Sequence, residues 1–214
     1  MVARIAPRER EMFIVAKTQR WHADVLGDKR RAKPQCERMT QWNLDPGHSA
    51  VGFSVRHLMI TTVRGEFEKY RASIMYDPAR PEATRVEASI DVASVNTREA
   101  KRDADLRGEL FFDAEAHPAM TFVSKRARAI DGGIEVVGEL TIRGIANEVA
   151  LAIREISDVQ TDMRGNKRMG ATATAKIKRS DFGMTWNKAL DAGGVVVGDV
   201  VTISLEASLV ASES

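Results

Sequence analysis

The sequence predicts an all-β protein of eight antiparallel strands with one short helix near residues 98–107, closed into a barrel or packed as a two-sheet sandwich. Three observations carry this. Alternation of apolar and polar residues with a period of two runs through most of the chain after residue 40. Turn-forming Gly, Pro, Asp and Asn separate the alternating runs. One segment alone leaves that rhythm for helical spacing.

The elements follow in order. Val51, Phe53 and Val55 alternate with Gly52, Ser54 and Arg56, giving a strand over 48–57. A second strand, 63–76, is broken by Asp77-Pro78, and a third, 84–95, carries Val86, Ala88, Ile90 and Val92 on one face. The helix over 98–107 has Asn96 in a capping position with Glu99 three residues later, a capping-box pattern. Asp103 and Arg107 lie four apart on it and are placed to pair. Strands 119–130 and 133–143 flank Asp131-Gly132-Gly133, which reads as a hairpin loop. Strand 146–159 carries Val149, Leu151 and Ile153, and Arg164-Gly165-Asn166 then turns the chain into strand 168–178. Ser180–Met184 reads as a short helical turn capped by Ser180. The last strand, 199–211, places Val201, Ile203, Leu205, Ala207 and Leu209 on one face. Short turns between consecutive strands imply antiparallel pairing throughout.

Composition narrows the function. Of 214 residues 43% are apolar, enough for the core of one domain. Residues 1–38 hold ten basic and five acidic residues and a charge run, Asp28 to Lys33, ended by Pro34. They read as a basic, flexible N-terminal extension. Met39 would serve as an ordinary start, so the domain is expected over 39–214. No basic concentration follows residue 38, and no nucleic acid partner is expected. The single cysteine, Cys36, cannot form an internal disulfide. No apolar run is long enough for a membrane-spanning helix, and Met12–Ala16 is too short for a signal-peptide core, so a cytoplasmic protein is expected.

Catalytic patterns are missing from the sequence. Ser49 follows His48, and neighbouring strand residues point to opposite faces, so the two make no triad. No spacing of the His-x-x-x-His or Cys-x-x-Cys kind suggests a metal, and no Gly-x-Gly-x-x-Gly loop suggests a nucleotide. No catalytic residue, metal or cofactor is therefore assigned.

Six segments in order carry a resemblance to a known family. They are Trp42-Asn43-Leu44-Asp45-Pro46-Gly47-His48-Ser49; Phe53 to Leu58 with Val63 to Phe67; Arg102 to Arg107; Phe111-Phe112-Asp113 with His117-Pro118 and Thr121-Phe122; Gly138-Glu139-Leu140-Thr141-Ile142-Arg143-Gly144; and Arg179 to Met184. Over residues 40–211 the chain resembles the YceI family. It departs at Asp105, where the family commonly has histidine, and at Gly108-Glu109-Leu110, where the family has Ser-x-Asp. The resemblance implies a lipocalin-like barrel whose elongated apolar cavity holds a long-chain amphiphile such as an isoprenoid, a polyprenyl quinone or a fatty amide. The family often forms dimers, so a homodimer is also an expectation.

On that reading the chain is a non-catalytic carrier or store of such a lipid. The expected cavity wall is Phe53, Val55, Phe67, Phe111, Phe112, Met120, Phe122, Leu140, Ile142, Phe182, Met184 and Trp186. The headgroup is expected at the barrel mouth near His48, His57 and Arg107, whose planar guanidinium suits a phosphate or carbonyl. Two other readings stay open: an enzyme modifying such a lipid through a histidine or Asp105, and an interaction module whose barrel is filled by its own side chains.

Overall fold

The computed structural model describes residues 39–189 and 194–212. The extension expected over residues 1–38 lies outside them. Twelve strands occur among the described residues: β1 (Thr40–Leu44), β2 (Ala50–His57), β3 (Thr61–Phe67), β4 (Tyr70–Tyr76), β5 (Arg85–Asp91), β6 (Val95–Asn96), β7 (Ala119–Ile130), β8 (Gly133–Ile142), β9 (Ile145–Arg154), β10 (Gln160–Thr161), β11 (Lys167–Lys178) and β12 (Val197–Ala211). The helix α1 spans Ala100–Arg107. No described helix is long and apolar enough to cross a membrane.

The twelve strands form eight staves. β1 and β2 lie along the same side of β12, with Trp42 opposite Ala211 and Val51 opposite Leu205. β3 and β4 pair back on them, Val55 with Val63 and Asn43 with Ser73. β5 and β6 make the third stave. β7, β8, β9 and β11 follow, and β11 pairs with β12 from Arg168↔Val210 to Lys178↔Val200, which closes the ring. The result is a closed eight-stranded antiparallel barrel in which sequence neighbours are spatial neighbours all the way round.

The breaks in the staves are local side-chain chemistry. Asp45 accepts from the Gly47 amide at 3.1 Å, and Pro46 enters a short 3-10 turn, Pro46–His48, between β1 and β2. Asp91 does the same with the Ala93 amide at 3.0 Å, so the strand expected over 84–95 is interrupted at Val92–Ser94. The strand expected over 146–159 stops at Arg154, where Glu155 takes a left-handed φ of 51°. Arg143 and Gly144, both at positive φ, make the tight turn between β8 and β9.

Two capping expectations are corrected. The N-cap of α1 is Glu99, whose carboxylate accepts from the Lys101 and Arg102 amides at 3.0 and 2.7 Å. Asn96 cannot serve because it pairs with Glu66 in β6. The turn near Ser180 is a 3-10 helix, Arg179–Phe182, with Lys178 at its N-cap and no side-chain capping bond. The expected Asp103–Arg107 pair is also replaced. Asp103, buried, takes the Thr97 amide and hydroxyl at 2.7 and 2.6 Å, chiefly the hydroxyl holding its pKa below the usual carboxylate range.

Candidate functional site: a barrel interior of two unlike halves

Alternation sends one residue in two from every stave into the barrel. In the half nearer α1 those residues are large. Phe53 and Phe67 have ring centroids 5.6 Å apart, and Phe67 meets Phe112 edge-on at 5.7 Å. Met120, Ile142, Phe182 and Met184 are buried in the same cluster, Phe182 at 1% exposure. A Cβ on Gly65 would lie 2.4 Å from the Phe53 ring, so only glycine lets that ring cross the strand opposite it. Arg179, also buried, pins this end by donating to the carbonyls of Met184 and Gly198. Burial pushes its pKa down, partly countered by Asp199.

In the other half the inward residues are aliphatic or small, and space is left between them. A cavity of about 180 Å³ lies there. Its wall includes Ile74 and Tyr76 of β4, Val86 to Ile90 of β5, Val149, Leu151 and Ile153 of β9, Ala171 and Ala173 of β11, and Ile203 to Leu209 of β12. Phe122 forms its floor toward the aromatic half, with its ring seated over Gly138, where a Cβ would come within 2.5 Å. At the far end Trp42, Met169 and Leu209 form a second buried cluster against which Leu44, Ile74, Tyr76 and Ile156 pack. From Ile203 to Leu209 the wall follows seven residues of strand, roughly 20 Å along β12.

The cavity wall differs from the expected one. Of the twelve residues assigned to it, Phe122 and Leu140 line the cavity. Phe53, Phe67, Phe112, Met120, Ile142, Phe182 and Met184 belong instead to the packed half. Val55 is half-buried beside Val63 and Val201. Phe111 and Trp186 meet at a tilt with centroids 5.5 Å apart, Trp186 is 39% exposed, and neither borders the cavity. The physical reason is size: an aromatic ring fills the interior it points into, whereas alanine and valine leave it open.

The three headgroup candidates are not brought together. His48 stands exposed on the turn after β1, its ring 3.0 Å from the Asp45 carboxylate. His57 ends β2, half-buried. Arg107 donates to the carbonyls of Ala93 and Val95, both at 2.8 Å, and so ties α1 to the third stave. No hydrogen bond or ion pair joins any two of them among the described residues.

Polar groups near the cavity are mostly satisfied. Tyr70 donates to the Ser49 carbonyl at 2.5 Å, and burial pushes its pKa up. Thr84, 1% exposed, donates to the Pro81 carbonyl at 2.6 Å. On the outer wall Arg168 bridges Asp45 at 2.6 Å and Asp162 at 2.7 Å. That hydrogen bond, followed by the one from His48, draws the Asp45 pKa down to about 2. One buried polar side-chain atom has no partner among the described residues, the Trp42 Nε1.

Signals for the wall existed in the apolar phases of 86–90, 149–153 and 203–209. Tyr70, Tyr76 and Met169 carried none separable from ordinary core.

Comparisons with known proteins agree with this architecture. The family model described as YceI-like domain matches residues 42–209. A UPF0312 protein of Staphylococcus aureus is 31% identical over 175 residues, covering 82% of this chain and all of the relative. The crystal structure of Burkholderia cenocepacia BcnA superposes with a TM-score of 0.68 at 26% identity, covering 79% of this chain and 99% of that one. A polyisoprenoid binding domain from Saccharophagus degradans superposes with a TM-score of 0.57 at 15% identity, over 80% of this chain and 98% of that one, a likeness of fold.

Proposed function

The chain belongs to the family of YceI-like domains, and from that premise we propose that it binds a long-chain amphiphile in the aliphatic half of its barrel and carries or stores it unchanged. The observation that supports this reading is the cavity wall, built chiefly from Ala, Val, Ile and Leu side chains, with Tyr70, Tyr76, Thr84, Phe122 and Met169 among them. Arg71, Thr172 and Glu206 border the cavity but fall on the outward phase. Such a wall suits a hydrocarbon chain, whose burial contributes about 25 cal/mol per Å² before the cost of association.

At about 180 Å³ the cavity is smaller than the roughly 300–1,000 Å³ usual for ligand pockets. A long chain therefore enters with rotamer shifts among inward residues, Met169 most readily because its side chain is unbranched. Catalysis is the weaker reading, because His48, His57 and Asp105 are not among the residues that border the cavity.

The test is organic extraction of the protein purified from its native host, followed by mass spectrometry. One dominant long-chain amphiphile near one per chain is the expected result. An empty extract after mild purification would leave the self-filled module as the better reading, and a chemically altered lipid on turnover would favour the enzyme.

A further inference from the structure

Trp42 is 4% exposed, and its indole N–H meets no acceptor among the described residues. Folded proteins rarely leave a buried donor in this state, because the group gives up its water and receives nothing in exchange. The neighbouring polar groups differ: Tyr70 and Thr84 both have carbonyl partners. The orphan donor also has a particular place. Trp42 clusters with Met169 and Leu209, which form one end of the cavity wall together with Leu44, Ile74 and Tyr76. Trp42 does not itself border the cavity but clusters with Met169, which does, so a ligand end would reach the indole by displacing Met169, a side chain that repacks readily. Among the described residues no other buried side-chain donor is left without a partner.

We propose that the Trp42 indole N–H is the ligand's polar anchor, donating to an uncharged acceptor oxygen such as a ketone, quinone or amide carbonyl at the end of the bound chain. The inference rests on the reading of the barrel as a binder of lipid chains. It specifies the ligand further. A single neutral N–H satisfies a carbonyl but leaves a phosphate's charge uncompensated in an apolar cavity. It also moves the polar contact from His48, His57 and Arg107 to the interior of the far end.

The test compares two defined probes on the full chain, heptadecan-2-one and heptadecane, delivered from cyclodextrin. The wild type is expected to bind the ketone about five- to tenfold tighter than the alkane, the worth of one buried hydrogen bond. Replacing Trp42 by 3-benzothienylalanine, which keeps the ring shape and lacks the N–H, should erase the preference for ketone over alkane. W42F should do the same. Independently of either variant, the Trp42 indole resonance in a proton–nitrogen correlation spectrum should shift on adding ketone and stay in place on adding alkane. A ketone preference that survives loss of the N–H, or an unmoved indole resonance, overturns this inference while lipid binding stands. Failure of the wild type to bind either probe overturns both readings.

Discussion

The two halves of the barrel interior share one backbone plan and differ in side-chain size. Near α1 the inward positions hold Phe53, Phe67, Met120 and Ile142, Phe112 and Phe182 pack in from the connections, and the space is consumed. Beyond Phe122 the same register supplies Ala88, Ala171, Ala173 and Ala207 among branched aliphatics, and a cavity remains. Barrel geometry therefore fixes how much room there is, and residue size at each level decides whether it is used for stability or for a guest.

Substitutions can break that contrast from either side. The largest effect is expected from Phe182→Ala in the packed half, where removing a 1%-exposed ring leaves a hole. A loss of about 3–5 kcal/mol in denaturant unfolding is expected. Gly138→Ala comes next: the new Cβ would lie 2.5 Å from Phe122 and 2.6 Å from the Val123 carbonyl oxygen, which is backbone and yields little. Overpacking of this kind costs about 1–3 kcal/mol, and the displaced ring should also weaken alkane binding.

Ala173→Leu tests the open half with the opposite sign. It fills cavity rather than creating it, so ligand-free protein should gain about 0.5–2 kcal/mol by thermal unfolding while losing lipid binding. A destabilised Ala173→Leu variant would mean that this half is already filled.

The smallest effect concerns pH. Asp45 has a pKa drawn to about 2, chiefly by Arg168, so its contribution is present above the ordinary carboxylate value of 3.8 and is lost as pH falls through about 2. Asp162 is lowered by the same arginine and adds to the slope. Because these groups are only partly buried the drop should be shallow, and Asp45→Asn should flatten it further in melts run from pH 5 to pH 2.

Much of the fold was legible in the residues. Alternation at 134–142 or 201–209 has one reading, and Asp131-Gly132 turns where its chemistry says. Thr40–Leu44 escaped although Trp42 and Leu44 alternate with Gln41 and Asn43, because the run is short and ends in a turn. The functional half was far less legible. Whether Phe53 lines a cavity or closes one depends on what Gly65 and Phe67 place beside it, and that is a property of several staves at one level. Arg107 looked like a headgroup contact because its partners are backbone carbonyls, which no side-chain pattern announces.

The closing strand has a consequence for synthesis. β12 is the last element, and its pairing with β1 joins residues as far apart as Trp42 and Ala211. Every other adjacent pair of staves can form as the chain emerges from the ribosome, each from neighbours in sequence. The hydrocarbon-lined chamber cannot be sealed until the fifteen residues of β12 have emerged and docked between β11 and the first stave. Until β12 emerges the nascent protein presents an open, apolar trough along β1, β2 and β11, and closure is a single step with a large loop to bridge.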